Sequence, residues 1–420
     1  MKKALLWLFI VRSFVVSIFG AQEVSFPELT TEKKESVREA KVIDIANILE
    51  PIAKRYDIPS IAGLLMKGDK IVMQGVVGIR TKGSNTQTTF NDLWHIGSCT
   101  KSLTATLCAI LVEKNILKWD LTLGEVFPEL ENKMNDEFKN VTLSQLLTNR
   151  GGFPGDLASY KSLWNGLWHF NGSPRSARRY LLEKIVERPP ETKPGTRDVY
   201  SNAGFAVAGH VAETVAGKDY EELMKEHIFT PLKMNSAGWG APGTWASNIQ
   251  ENVEVPWGHT QDGKPVIPLK NTPDGKGSDN PSAISPAGRL HCTIGDWAKY
   301  ISIHLRGNED NPFKKTQLLS GETFKKLQTP PDELSDYAYG WICCHRDWAG
   351  LEGGNNVLTH AGSNTMWYSV TRIAPRKDFA VLVCCNLGGS SAEKGTNEAI
   401  WAITQKYLEN EKPESATNPQ

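Results

Sequence analysis

The residues that could do covalent chemistry come in three short groups. Ser98-Cys99-Thr100-Lys101 is an S-x-x-K. A serine hydroxyl attacks poorly until a base takes its proton. Residues three apart on a helix share a face, so Lys101 can reach the hydroxyl of Ser98. Lysine is protonated at neutral pH, and becomes a base only where desolvation or nearby positive charge lowers its pKa. A helix N-terminus supplies partial positive charge, which also suits a developing oxyanion. Ser98 follows Trp94-His95-Ile96-Gly97 and opens an apolar stretch, which predicts a buried site at a helix start.

Tyr200-Ser201-Asn202 is the chain's one Y-x-N. A tyrosine alone reads as packed at a helix start. Beside Ser98 and Lys101 its phenol can relay a proton to a leaving group. Asn202 can bind a substrate amide or hold Lys101. His360-Ala361-Gly362-Ser363 precedes a strand candidate, and its small residues let a substrate lie along a strand edge. The Ser363 backbone N–H can join that of Ser98 as an oxyanion donor. His360 alone reads equally well as a structural, hydrogen-bonded histidine.

Other matches serve as controls. Ser391 to Lys394 is a second S-x-x-K, set among Gly, Ser and Glu, and reads as a helix cap. No G-x-S-x-G occurs, which excludes a nucleophile elbow. No C-x-x-C or H-x-H-x-D pattern occurs, so a metal site has no support; acyl transfer to a serine needs no organic cofactor, and none is expected.

The elements that must hold these groups follow from patterning. Two β-rich runs, 59–66 and 71–78, flank Gly68-Asp69 and predict a hairpin. Leu103, Leu107, Ile110 and Leu111 predict a helix over 101–116. Helices are also predicted at 142–149, at 203–228 with a break near Gly217, at 290–305 and at 392–408. Residues 257–286, rich in Gly, Pro, Asp and Asn, read as a long surface excursion. Strands are predicted at 337–344, 367–373 and 379–386. Strands near both chain ends with helices between imply an α/β (α+β) fold. An antiparallel sheet is built from both ends of the chain, and a helical region of about 95–275 is inserted in it.

The three motifs, in this order, resemble the serine β-lactamase and penicillin-binding-protein superfamily, above all class C β-lactamases and their esterase and peptidase relatives. The likeness extends to "SCTKSLTATLCAILVEKNILKWDLTLGEVFPEL", "VTLSQLLTNRGGFP", "PGTRDVYSNAGF", "IFTPLKM", "SPAGRLHCTIGDWAKY" and "YAYGW", across about residues 41–410. It implies Ser98 as nucleophile, Lys101 as its base, Tyr200 as general acid/base and Asn202 as part of the second motif. His360 to Gly362 stands where many relatives carry Lys-Thr-Gly, whose lysine binds a substrate carboxylate. A histidine is mostly neutral at pH 7, so the departure weakens the case for a dedicated β-lactamase or cell-wall peptidase, and esterase and D-amino-acid peptidase relatives often carry His here. The rivals are a true β-lactamase or D,D-peptidase, and a penicillin-recognising sensor with little turnover. Ser278-Asp279-Asn280 matches a class A β-lactamase motif but falls in the Gly/Pro-rich excursion, far from Ser98 in sequence.

Of 420 residues, 40% are hydrophobic and 22% charged, with 47 basic and 47 acidic side chains. The zero net charge sets nucleic-acid binding aside, and the expected partner is a small-molecule or peptide-like substrate. Lys2 and Lys3, an apolar run from Ala4 to Phe19 and the small Gly20-Ala21 predict a signal peptide over 1–21 and an exported, periplasmic or secreted protein. Arg12 interrupts the run, and an uncleaved anchor is the competing reading. No other stretch reaches the roughly 18 apolar residues of a membrane span. Residues 22–40 read as a linker and 411–420 as a disordered tail. Seven cysteines are too irregular for a disulfide scaffold. Cys343-Cys344 and Cys384-Cys385 read as buried hydrophobes, or as a disulfide if their strands are neighbours.

Overall fold

A computed structural model describes residues 41–243, 253–268, 277–350 and 356–411. The expected signal peptide, linker and nearly all of the expected tail lie outside the described residues, as does part of the excursion.

The strands are β1 (Ile43–Asp44), β2 (Ser60–Lys67), β3 (Lys70–Gly78), β4 (Leu93–His95), β5 (Gly238–Trp239) and β6 (Gly258–His259). They continue with β7 (Pro265–Val266), β8 (Leu290–Thr293), β9 (Ile342–Cys344), β10 (Val357–Ser363), β11 (Tyr368–Ala374) and β12 (Phe379–Cys385). Seven of them form one sheet in the order β1-β3-β2-β12-β11-β10-β9. The N-terminal hairpin therefore pairs with the C-terminal strands through β2 and β12, as expected of a sheet made from both chain ends. All its pairings are antiparallel except β1 with β3. Gly68, at φ 60°, and Asp69 make the two-residue turn between β2 and β3.

β12 shows why its sequence is apolar without a break. Phe379, Val381, Val383 and Cys385 pack with the helices Ala46–Arg55 and Gly389–Asn410. Ala380, Leu382 and Cys384 join the larger core under the helices on the other face. A strand covered on both sides has no polar positions to alternate. The helix Thr100–Glu113 is buried from Thr100 to Leu111, and its buried polar side chains are hydrogen-bonded, Thr104 Oγ1 to the Pro286 carbonyl and Thr106 Oγ1 to the Ser102 carbonyl. Most of the other helices fall between β3 and β9.

Several expectations need correction. The helix at Lys101 ends at Glu113, because Asn115 takes a left-handed turn (φ 57°) and leaves Ile116 half-exposed. Residues 290–293 are β8, with the helix starting at Ile294. Only 342–344 of the 337–344 run is strand. The third motif is itself a strand, β10, whose small residues hid its β character. The excursion is not all surface, since Ser278 and Asp279 are buried and Ser285–Gly288 is a buried helical turn. Ser391 does not cap the terminal helix; Gly388 is at its N-cap and makes no side-chain cap bond. β9 and β12 are separated by β11 and β10, and all seven cysteines are free. At about 4.8 Å per strand, that separation exceeds the reach of a disulfide.

Candidate active site

Ser98 lies in a single 3₁₀ turn, Gly97–Cys99, that runs directly into the helix Thr100–Glu113. The turn sits against β10 so closely that both facing residues must be glycine. Gly97 has φ 49°, and a Cβ there would lie 2.3 Å from the Ser363 backbone nitrogen. A Cβ on Gly362 would meet the Ile96 carbonyl at 2.0 Å and the Ser98 nitrogen at 2.6 Å. No side chain fits at such distances, so the backbone of the Ser98 turn packs directly on that of Gly362 and Ser363 in β10.

Lys101 is one helical turn beyond Ser98 and fully buried. Its Nζ lies 3.2 Å from Ser98 Oγ, 2.7 Å from Asn202 Oδ1 and 2.7 Å from the Ala287 carbonyl. It also stands 4.6 Å from the centre of the Tyr200 ring. Burial holds its pKa well below the ordinary lysine value. A neutral amine has two N–H donors and one lone pair. Nζ donates to Asn202 Oδ1 and to the Ala287 carbonyl, and in the neutral form its lone pair would face the Ser98 hydroxyl. Asn202 thus holds Lys101 through its side-chain oxygen.

Tyr200 precedes the helix Asn202–Ala216, which Ser201 caps by accepting from the Gly204 N–H. Asn149, at φ 59°, steers the approach to this motif. Its carbonyl accepts from the Val199 N–H at 2.8 Å, and its Oδ1 accepts from the Ser201 N–H at 3.1 Å. Arg150 pairs with Asp198 and Asp332, tying this loop to the one that carries Tyr337. Tyr200 is 43% exposed. Desolvation of its hydroxyl nevertheless raises the phenol pKa, against an opposing hydrogen bond with Ser98. A phenol that keeps its proton is suited to donate it.

His360, expected to be mostly neutral where many relatives carry a lysine, is buried beside Tyr337. It is 3% exposed, with Nδ1 donating to the Ala361 carbonyl at 2.6 Å and Nε2 accepting from the Tyr337 hydroxyl at 3.3 Å. Burial, with Lys101 nearby, pushes its pKa down to about 3. It brings no positive charge to the site. Arg289 lies beside Asp279, and Arg372 donates to Asn397 of the terminal helix.

The sequence reading did not single out Asn149, Ala287, Tyr337, His95 or Asn364. Asn149, Ala287 and Tyr337 lie inside stretches that resemble the family, so alignment is the signal that could have found them. Among the described residues no cluster of His, Cys, Asp and Glu could hold a metal ion. No described helix is long and apolar enough to cross a membrane.

A family model described as Beta-lactamase matches residues 45–405. The chain is similar to "Unguisins hydrolase ungD'" of Aspergillus campestris (strain IBT 28561), at 25% identity over 371 residues. That match takes in 86% of this chain but 65% of the relative, so the chain spans under two thirds of that hydrolase's length. Among solved structures, D-alanine carboxypeptidase AmpC from Burkholderia cenocepacia aligns with TM-score 0.63 at 20% identity, over 85% of this chain and 97% of the other. A class C beta lactamase from Rhodobacter sphaeroides aligns with TM-score 0.63 at 17% identity, over 86% and 99%.

Proposed function

The chain belongs to the beta-lactamase family, and on that premise we propose that it is a serine hydrolase that takes the acyl group of a small ester or amide onto Ser98 and passes it to water. The observation that carries this reading is the contact of a buried, depressed-pKa Lys101 Nζ with Ser98 Oγ at 3.2 Å. Lys101 takes the hydroxyl proton as Oγ attacks the carbonyl carbon. The oxyanion faces the N–H groups of Ser98 and Ser363. The C–O or C–N bond then breaks, and Tyr200 delivers a proton to the departing oxygen or nitrogen. Water attacks the acyl-Ser98 ester by the same steps in reverse order, which releases the acid and restores the hydroxyl.

Tyr200→Phe tests the proton delivery. It is expected to lower kcat/KM for an anilide or peptide amide by about a hundredfold. An aryl ester, whose phenolate leaves without help, should lose much less. Equal losses on both substrates would remove Tyr200 from the leaving-group step.

The family chemistry also serves β-lactamases and D,D-peptidases, and the charge at residue 360 is what we expect to separate them. A substrate carboxylate finds no cation in neutral His360. We therefore expect neutral short-chain esters or amides to be preferred over penicillins. Matched substrates with and without a carboxylate, compared at pH 8, test this. His360→Lys should move the ratio toward the carboxylate substrate by about tenfold or more, the scale of a charge-assisted hydrogen bond. A wild-type enzyme that already favours the carboxylate strongly, or that turns over nitrocefin faster than any neutral ester, would contradict the substrate class proposed.

A further inference from the structure

We propose that Asp279 is a positioning residue for this reaction, one buried carboxylate that fixes both backbone arms of the oxyanion hole. The inference rests on the reading of Ser98 as nucleophile. Asp279 is 4% exposed and lies below the Gly97-Ser98 turn. One of its oxygens is 3.1 Å from His95 Nε2, and His95 Nδ1 accepts from the Gly97 N–H at 3.1 Å. Since Nδ1 accepts, the single imidazole proton sits on Nε2 and is donated to Asp279. That bond fixes the tautomer, and the tautomer tethers the turn whose next N–H belongs to Ser98. The other oxygen accepts from Asn364 Nδ2 at 3.0 Å. Asn364 directly follows Ser363, and its own Oδ1 accepts from the Met366 N–H at 3.2 Å. Of the two suggested donors, the Ser98 N–H follows Gly97, which Asp279 holds through His95, and the Ser363 N–H precedes that of Asn364, whose side chain Asp279 holds directly.

The rest of the cluster keeps that carboxylate in place. The Asn280 N–H donates to it at 2.8 Å, and Arg289 Nε lies 3.3 Å away. Ser369 Oγ donates to the His95 carbonyl at 3.0 Å, which locks His95 to β11. Burial raises the Asp279 pKa, but His95, Arg289 and Asn364 more than offset it and leave a net lowering. Nothing in this arrangement touches the reacting atoms.

Asp279→Asn keeps the shape and removes the function. If the new amide oxygen serves Asn364, its NH₂ faces His95 Nε2. The imidazole proton then moves to Nδ1, where it opposes the Gly97 N–H. If the amide is flipped, two NH₂ groups oppose each other at Asn364. One tether is lost either way.

Deleting an oxyanion donor costs about a hundred- to a thousandfold in kcat. Displacing one through a lost tether is expected to cost roughly ten- to a hundredfold, with little change in KM. The test measures kcat and KM for an aryl ester, inhibition by an arylboronic acid, thermal melting, and Ser98 labelling by a fluorophosphonate. We expect Asp279→Asn to remain folded and labelled, and to lose boronate affinity by the same factor as kcat/KM. Asn364→Ala, which leaves the His95–Asp279 pair intact, should act in the same direction. The double variant should lose less than the product of the single losses, because the two residues share one network. Wild-type kinetics in a labelled Asp279→Asn, or a fall in kcat with unchanged boronate affinity, would overturn this inference alone. Absence of Ser98 labelling in the wild type would overturn the acyl-enzyme reading and this inference with it.

Discussion

Lys101→Ala is expected to lower kcat/KM for a short aryl ester by a hundredfold or more, the usual scale for an acid–base group. The base must be neutral to act, so activity should rise with pH through the Lys101 pKa. That pKa is held well below its ordinary value by burial. The rising limb should therefore finish well below about pH 10.4, the reference value for lysine. The limb that belongs to Lys101 should vanish in the variant. Lys101→Arg is the sharper control, since a guanidinium keeps the charge but does not give up its proton. It should be as inactive as Lys101→Ala if the lysine is a base. It should retain activity if only a positive charge is needed. Stability carries the same signature. The unfolded chain binds this proton up to a higher pH than the folded one. The Lys101 contribution to stability therefore rises as pH climbs from the folded pKa toward the unfolded value. Replacing Lys101 should flatten that rise.

Ser98→Ala is expected to have a larger effect, a loss of kcat of roughly a thousandfold or more, as when a nucleophile acting with its base is removed. The substitution deletes one partly exposed oxygen beside Lys101 and creates no clash. Melting should therefore stay near that of the wild type. Ser391→Ala is the matched control. Ser391 sits in the first turn of the terminal helix, among the helices that cover the other face of the sheet from Ser98. Its loss should leave turnover unchanged. A Ser98→Ala enzyme with wild-type kcat would mean that the hydrolysis proceeds without it.

The parts of this site that were legible in sequence are those set by local spacing. Ser98 and Lys101 are one helical turn apart, and a helix start followed by an apolar run is a local signal. The hairpin over β2 and β3 was legible for the same reason, with two runs around Gly68-Asp69. β10 was not, because Thr359-His360-Ala361-Gly362-Ser363 has little β propensity. Its conformation comes from pairing with β11 and from packing against Ser98. The role of Asp279 was hidden more deeply. A Gly/Pro-rich stretch reads as solvated, and nothing in the order of residues says that its aspartate is buried beneath His95. His360 shows the reverse case. Its chemistry was read from its type and its place in the family-like motif, but the burial that pushes its pKa down to about 3 is a tertiary property.

The most direct test of the account is the mass of the intact protein after reaction with a fluorophosphonate, followed by mapping of the modified peptide. The account predicts one adduct per chain, on Ser98, formed more slowly in Lys101→Ala, retained in Ser391→Ala and absent in Ser98→Ala. An adduct that persists in Ser98→Ala, or that maps to Ser391 instead, would contradict the assignment of Ser98 as the nucleophile.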